Sequence, residues 1–318
     1  MKAVLIVLII ICVLLAAAYA VGLIFVQKLI VRQDDFPTPE TGAKSSELLK
    51  PTGEALWKHN IPYFAPFRDL PFDEVTVTSD DGLRLCADVL RGSGKGVTVI
   101  FFHGYKSEPA CDFAAMYDFY HELGYDLMFV HMRAHGKSEG KYIGFGALDR
   151  YDVVLWTKKA AELFPENSIF LHGMSMGAAA VMQSADLELD GHVCGMIADC
   201  GYSDLETVFK NLVGTLYHLP VMFVDIFEYV NLLKAGYDFK EASSPRSLSV
   251  SETPLLYICG ECDRYVPKDM AQRIFDACRA EKELLLVPDT GHAASFMCAN
   301  EKYKSMVKDF MNKHRRIN

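Results

Sequence analysis

A serine set between two glycines, Gly173-Met174-Ser175-Met176-Gly177, offers a hydroxyl that can attack a carbonyl carbon. The hydroxyl is a poor nucleophile, so it must stand clear of the backbone where a base can take its proton. A sharp turn with strained dihedrals does this. Gly173 and Gly177 suit the turn because a Cβ at either place would crowd it or the neighbouring strand. The apolar run Ser168-Ile-Phe-Leu171 comes before and the small-residue run Ala178-Ala-Ala-Val-Met182 after. Ser175 is therefore expected at the tip of a strand, turn and helix. The free N–H groups of that helix start then face the point where negative charge develops on a substrate oxygen.

Alternating elements must carry this turn. Glu74–Thr78 and Leu83–Leu90 alternate across Ser79-Asp-Asp-Gly82 like an antiparallel hairpin. Gly96–Phe102, Asp126–Val130, Ser168–Leu171, Val193–Ala198, Leu255–Cys259 and Glu283–Val287 are short apolar runs suited to burial on both faces. Helical patterns cover 110–123, 147–163, 176–186, 267–280 and 300–313, which gives an α/β sheet with its working edge at the carboxyl ends of the strands. About 55 residues separate Ala198 from Leu255. They are rich in large apolar side chains and read as an inserted, mostly helical cap at about 203–250. Pro220, Asp225 and Glu228 interrupt the stretch and argue against a second membrane segment.

The 318 residues are 51% hydrophobic and carry a net charge of −9, which argues against a nucleic-acid surface. The nine cysteines are odd in number and scattered, unlike a disulfide framework. Cys259-Gly-Glu-Cys262 lacks a second Cys/His pair at metal spacing and reads as coincidence. Residues 3–26 hold no charge and are long enough to cross a bilayer as a helix. Cleavage sites of signal-peptide type exist at Ala16–Ala18 and Ala18–Ala20. The apolar run continues past Ala20, however, and only Lys2 supplies a basic start, so an uncleaved anchor is expected. Lys2 and the amino terminus are balanced by Lys28 and Arg32, so its orientation stays open. The expected division is an anchor at 1–32, a linker and packing segment at 33–71, and a catalytic domain at 72–318.

These residues resemble the α/β-hydrolases over roughly 72–315, and most of all the bacterial membrane-anchored members near the serine aminopeptidase and monoacylglycerol-lipase-like groups. Four motifs carry the resemblance: His103-Gly104-Tyr105, Gly173–Gly177, Gly260-Glu-Cys-Asp263-Arg-Tyr-Val266-Pro267 and Gly291-His292. It implies an α/β-hydrolase fold with a mostly parallel eight-stranded sheet, a helical cap and an N-terminal transmembrane helix. It also implies Ser175 as nucleophile, His292 as base, Asp263 as the acid that fixes the imidazole tautomer, and an oxyanion hole from the N–H groups of Tyr105 and Met176. Asp199, after the preceding strand, is the rival acid, expected instead to cap the turn Cys200–Ser203. His103 is expected to brace its own loop, and His172 lies inside the sheet. Where relatives carry Asp-x-Arg-Gly-His-Gly-x-Ser, this chain has His131-Met-Arg133-Ala134-His135-Gly-Lys-Ser138, which reads as a packed loop. The implied activity is a serine hydrolase acting on a small-molecule carboxylic ester or acyl substrate, held to the membrane through residues 3–26. No metal, organic cofactor or nucleic-acid partner is implied. A peptidase or amidase on the same triad, and a tethered binding protein without turnover, are the alternatives.

Overall fold

Eight strands join in one sheet: β1 (Asp73–Thr78), β2 (Arg84–Leu90), β3 (Val97–Phe102), β4 (Asp126–His131), β5 (Ser168–Met174), β6 (Val193–Asp199), β7 (Leu255–Gly260) and β8 (Lys282–Val287). Their order is β1-β2-β4-β3-β5-β6-β7-β8 in the computed structural model, which describes residues 1–33, 49–216, 218 and 220–316. β2 pairs antiparallel with β1 and β4, and every other pair is parallel. β3, β4, β5 and β7 are buried along their whole length, which explains their unbroken apolar sequences. Successive residues serve opposite layers: Leu255, Tyr257 and Cys259 face one hydrophobic core, Leu256 and Ile258 the other.

Two helical layers cover the faces. One core takes α4 (Asp149–Leu163), α5 (Met176–Gln183), α8 (Ser244–Leu248) and α9 (Lys268–Ala277). The other takes α2 (Gly53–Arg68), α3 (Pro109–Glu122), α10 (Ser295–Cys298) and α11 (Asn300–His314). α2 falls in the segment read from sequence only as packing. Pro62 and Pro66 lie inside it and argue against a helix, yet Phe64 and Phe67 bury against the sheet, Phe67 standing edge-on to Phe129 at 4.9 Å. Residues 34–48 of the expected linker lie outside the described residues.

Between β6 and β7 the chain forms α6 (Leu205–Asn211), a π-helical turn (Leu212–Leu216), α7 (Met222–Ala235) and α8. At 14 residues α7 is too short to span a bilayer. Its Phe227 is fully buried and packs on Phe209 at 4.9 Å and Phe239 at 4.8 Å. The N-terminal helix α1 (Lys2–Phe25) is long and apolar enough to cross a membrane, and it runs on into a π-helical turn at Val26–Ile30. The expected division assigns residues 1–32 to the anchor, but the structure docks residues 26–32 onto the core beside the sheet. Val26 and Ile30 are buried there, Val31 bridges to Tyr142, and Arg32 donates to the carbonyls of Ser138 at 2.6 Å and Gly136 at 2.8 Å.

Candidate active site

One residue, Ser175, separates β5 from α5, and it sits at φ 52°, ψ −110°. That region is costly for a residue with a Cβ, on the order of 1–3 kcal/mol, and surrounding bonds must hold it. Its N–H donates to the Asp199 carbonyl at 2.8 Å, and its own carbonyl accepts from Ala179 at 2.9 Å. A Cβ at Gly177 would strike the Phe102 carbonyl, and one at Gly173 the backbone of Ala178, so only glycine lets strand and helix approach this closely. Ser175 Oγ lies 2.7 Å from His292 Nε2, and His292 Nδ1 lies 2.7 Å from Asp263 Oδ2. The structure thus joins Ser175, His292 and Asp263 in one hydrogen-bonded chain and leaves Asp199 outside it.

Backbone geometry aims the acid and the histidine. Asp263 Oδ1 accepts from the N–H groups of Tyr265 at 2.8 Å and Val266 at 2.9 Å, which turns Oδ2 toward the imidazole. A Cβ at Gly260 would strike the Thr290 carbonyl, so the loops after β7 and β8 lie directly against each other. On the far side the Gly291 N–H donates to Thr52 Oγ1 at 3.1 Å, bringing the start of α2 into the wall of the site. Burial pulls the His292 pKa down. The charge and hydrogen bond of Asp263, with Asp199 and Asp112 farther off, outweigh it, and the net shift is upward.

The loop after β3 carries Tyr105, and Met176 is the first residue of α5, whose N–H has no partner within the helix. This loop packs against Ser175: a Cβ at Gly104 would lie 3.5 Å from Ser175 Cβ. Two neutral histidines clamp it. Met132 N–H donates to His103 Nε2 at 3.1 Å, so His103 Nδ1 carries the proton and donates to the Gly104 carbonyl at 2.8 Å. Lys106 N–H donates to His135 Nε2 at 3.1 Å, and His135 Nδ1 donates to the Arg133 carbonyl at 2.8 Å. Burial pushes both pKa values down, that of His135 to about 4, which keeps each ring neutral. The 131–138 loop is packed as expected, with Arg133 on Asp152 at 2.7 Å and Asp81 at 3.1 Å. Its link to Lys106 was not legible from sequence.

Asp112, in the first turn of α3, was also missed. Its carboxylate accepts from the Gly104 N–H at 2.6 Å and the Ser107 hydroxyl at 2.7 Å, and burial pushes its pKa up to about 6. It lines a small cavity of about 30 Å³ between α2 and α3, with Asn60, Met116, Met174 and Ala293. A charged residue in the otherwise apolar first half of the helix just after His103-Gly104 was the available signal.

Asp199 does not cap the turn after β6. It accepts from Tyr303 Oη at 3.1 Å, at the end of a buried line in which Tyr120 Oη lies 2.8 Å from His172 Nδ1 and His172 Nε2 lies 3.0 Å from Tyr303 Oη. Tyr120 donating to Nδ1, Nε2–H donating to Tyr303 and Tyr303 donating to Asp199 satisfies all three bonds. Burial pushes the Asp199 pKa up to about 7 and the His172 pKa down to about 3. Cys200, Asp263 and His292 offer metal-ligand atoms within 4.8 Å of one another, but a metal there would break the Ser175–His292–Asp263 chain. Cys259 is buried in β7 while Cys262 is exposed, and both are free thiols.

With this geometry in view, the chain can be set beside known proteins. Residues 95–216 match a family model described as serine aminopeptidase, S33. The Bacillus subtilis uncharacterized protein YqkD is 25% identical over 221 residues, 68% of this chain and 71% of that protein. The Saccharomyces cerevisiae uncharacterized membrane protein YNL320W is 20% identical over 77% of this chain and 81% of that one. The Pyrococcus furiosus esterase Pf2001 superposes with a TM-score of 0.63 at 23% identity, over 78% of this chain and 93% of that structure. Sheet order, the strand–turn–helix at Ser175 and these matches agree, and the chain has the α/β-hydrolase fold.

Proposed function

We propose that the protein is a membrane-anchored serine hydrolase that cleaves carboxylic esters of acyl or lipid-like type through an acyl-enzyme. The observation that carries this reading is the chain Ser175 Oγ–His292–Asp263, with both links at 2.7 Å and the serine held at positive φ at a helix start. In acylation His292 Nε2 takes the Ser175 proton as Oγ bonds to the ester carbonyl carbon. The carbonyl oxygen gains charge toward the N–H groups of Tyr105 and Met176, at the positive end of α5. Asp263 fixes the Nδ1–H tautomer and stabilises the imidazolium, which then protonates the leaving alkoxide. Water enters by the same route in reverse and frees the acid.

A peptidase or amidase on the same triad is the second reading. The serine aminopeptidase family match supports it, as does the Asp112 carboxylate in the neighbouring cavity, which could hold a substrate ammonium. Docking of the C-terminal part of α1 and the turn after it onto the catalytic core supports an uncleaved anchor over a signal peptide. Steady-state rates on p-nitrophenyl esters of graded chain length, beside aminoacyl anilides, test the reading. Ester turnover that Ser175→Ala abolishes is expected; turnover confined to anilides would move the assignment to the peptidase.

A further inference from the structure

We infer that helix α7 of the cap lies in the surface of the bilayer, so that the cap face beside the catalytic loops is turned toward the membrane. This rests on the reading of α1 as a membrane-spanning anchor. From Lys2 to Ala17 every residue of α1 is exposed, and packing against the protein begins at Ala18. These 16 residues rise about 24 Å, whereas a hydrocarbon core is about 30 Å thick. The bilayer must therefore reach roughly four residues further, to about Val21. Tilting α1 lengthens the path and draws the bilayer deeper still. The next residue, Gly22, is where α7 packs: a Cβ there would stand 2.5 Å from Val230 Cγ2 and 3.2 Å from the Ile226 carbonyl, and the Phe25 ring meets that of Phe227 at a tilt of 34° with centroids 5.6 Å apart.

α7 has the outward face this position requires. Met222, Tyr229, Leu232 and Leu233 fall on one side at helical spacing and are 59%, 61%, 46% and 56% exposed, with Val221 beside them at 50%. The opposite side, Val224, Phe227 and Val230, is buried in the core. A helix with one face in the protein and an apolar face outward, meeting an anchor at the level where the bilayer ends, fits the lipid headgroup boundary, and tyrosine is favoured at that depth. Exposed Asp225 interrupts the face near its start, so α7 sits among headgroups and not in the hydrocarbon interior. Bilayer contact also lies near the chemistry. Aromatic rings run from Phe227 to Phe209 at 4.9 Å, Phe209 to Phe145 at 5.7 Å and Phe145 to Tyr105 at 4.9 Å.

The test uses full-length protein in phosphatidylcholine vesicles whose acyl chains are brominated either high or near the end. Single Tyr229→Trp and Leu233→Trp variants are compared with wild type, whose two tryptophans give the background, and with Val250→Trp, an exposed site just before β7. The added fluorescence at 229 and 233 should be lost, more with bromine placed high than placed deep, while that at 250 persists. Persistence at 229 and 233 in protein that resists carbonate extraction would overturn the inference alone, and would mean that a protein partner or solvent covers α7. Extraction by carbonate would overturn the anchor reading and this inference with it.

Discussion

At the scale of single residues, two aspartates near one histidine have opposite environments. Asp263 accepts two backbone N–H groups and faces an imidazole, whereas buried Asp199 accepts from the Tyr303 hydroxyl and faces no imidazole nitrogen among the described residues. Asp263→Asn should fold and lose about four orders of magnitude in kcat, because the amide favours the wrong imidazole tautomer. In the wild type, kcat/KM should rise with pH until His292 is neutral, levelling above its ordinary pKa of 6.5 because the net shift is upward; Asp263→Asn should move that limb down. For Asp199 the sign runs the other way from a paired carboxylate. Its folded pKa of about 7 exceeds the ordinary 3.8, so between these values the unfolded state has released a proton that the folded state keeps. Stability then falls as pH rises, by about 1.4 kcal/mol per unit. Asp199→Asn lacks this loss, and its melting temperature should gain on that of wild type as pH climbs from 4 to 7. A constant difference would contradict the assignment. Gly260 and Val266-Pro267 made Asp263 readable as the carboxylate of a short loop, though the structure buries its side chain, while the Tyr303 partner of Asp199, over a hundred positions away, left no local trace.

At the scale of elements, the loop after β3 depends on a loop from the next strand. Lys106 sits at φ 48° with its N–H held by His135, one residue beyond Tyr105, the oxyanion donor proposed above. His135→Leu strands that N–H and should lower kcat by about tenfold to a hundredfold, short of the loss of an oxyanion donor itself, with KM little changed. His135→Gln, which can present an acceptor near Nε2, should recover most of the rate. A KM effect without a kcat effect in His135→Leu would remove this positioning role. The strands were legible because burial on both faces forces continuous apolar runs, and the elbow because glycine is sterically required on both sides of Ser175. α2 was not, since Pro62 and Pro66 mask a helix that tertiary burial of Phe64 and Phe67 sustains.

At the scale of the whole molecule, the N-terminal helix, the β6–β7 insertion and the loop after β3 form one continuous structure. Phe25 of α1 meets Phe227 of α7, and rings lead on to Tyr105; Tyr105 Oη in turn donates to the Leu29 carbonyl at 2.9 Å, just past α1. Hydropathy alone separates these parts, because it reports the exposed apolar length of α1 and not the contacts of its end. The same contacts give the cap aromatics a packing role. Phe227 is sequestered among Phe25, Phe209 and Phe239, so Phe227→Ser should cost on the order of 3–5 kcal/mol of stability. Once corrected for folded fraction, its losses on acetyl and long-chain esters should match. A selective loss on long chains would show that this ring contacts the acyl group.

The central claim is that Ser175 is a nucleophile activated by His292. Intact-mass spectrometry after treatment with a fluorophosphonate tests it most directly. The wild-type protein should gain one phosphonyl group, mapped by peptide sequencing to Ser175, and folded Ser175→Ala should gain none. Equal labelling of Ser175→Ala, or an unmodified wild-type protein with a normal melting curve, would contradict the account.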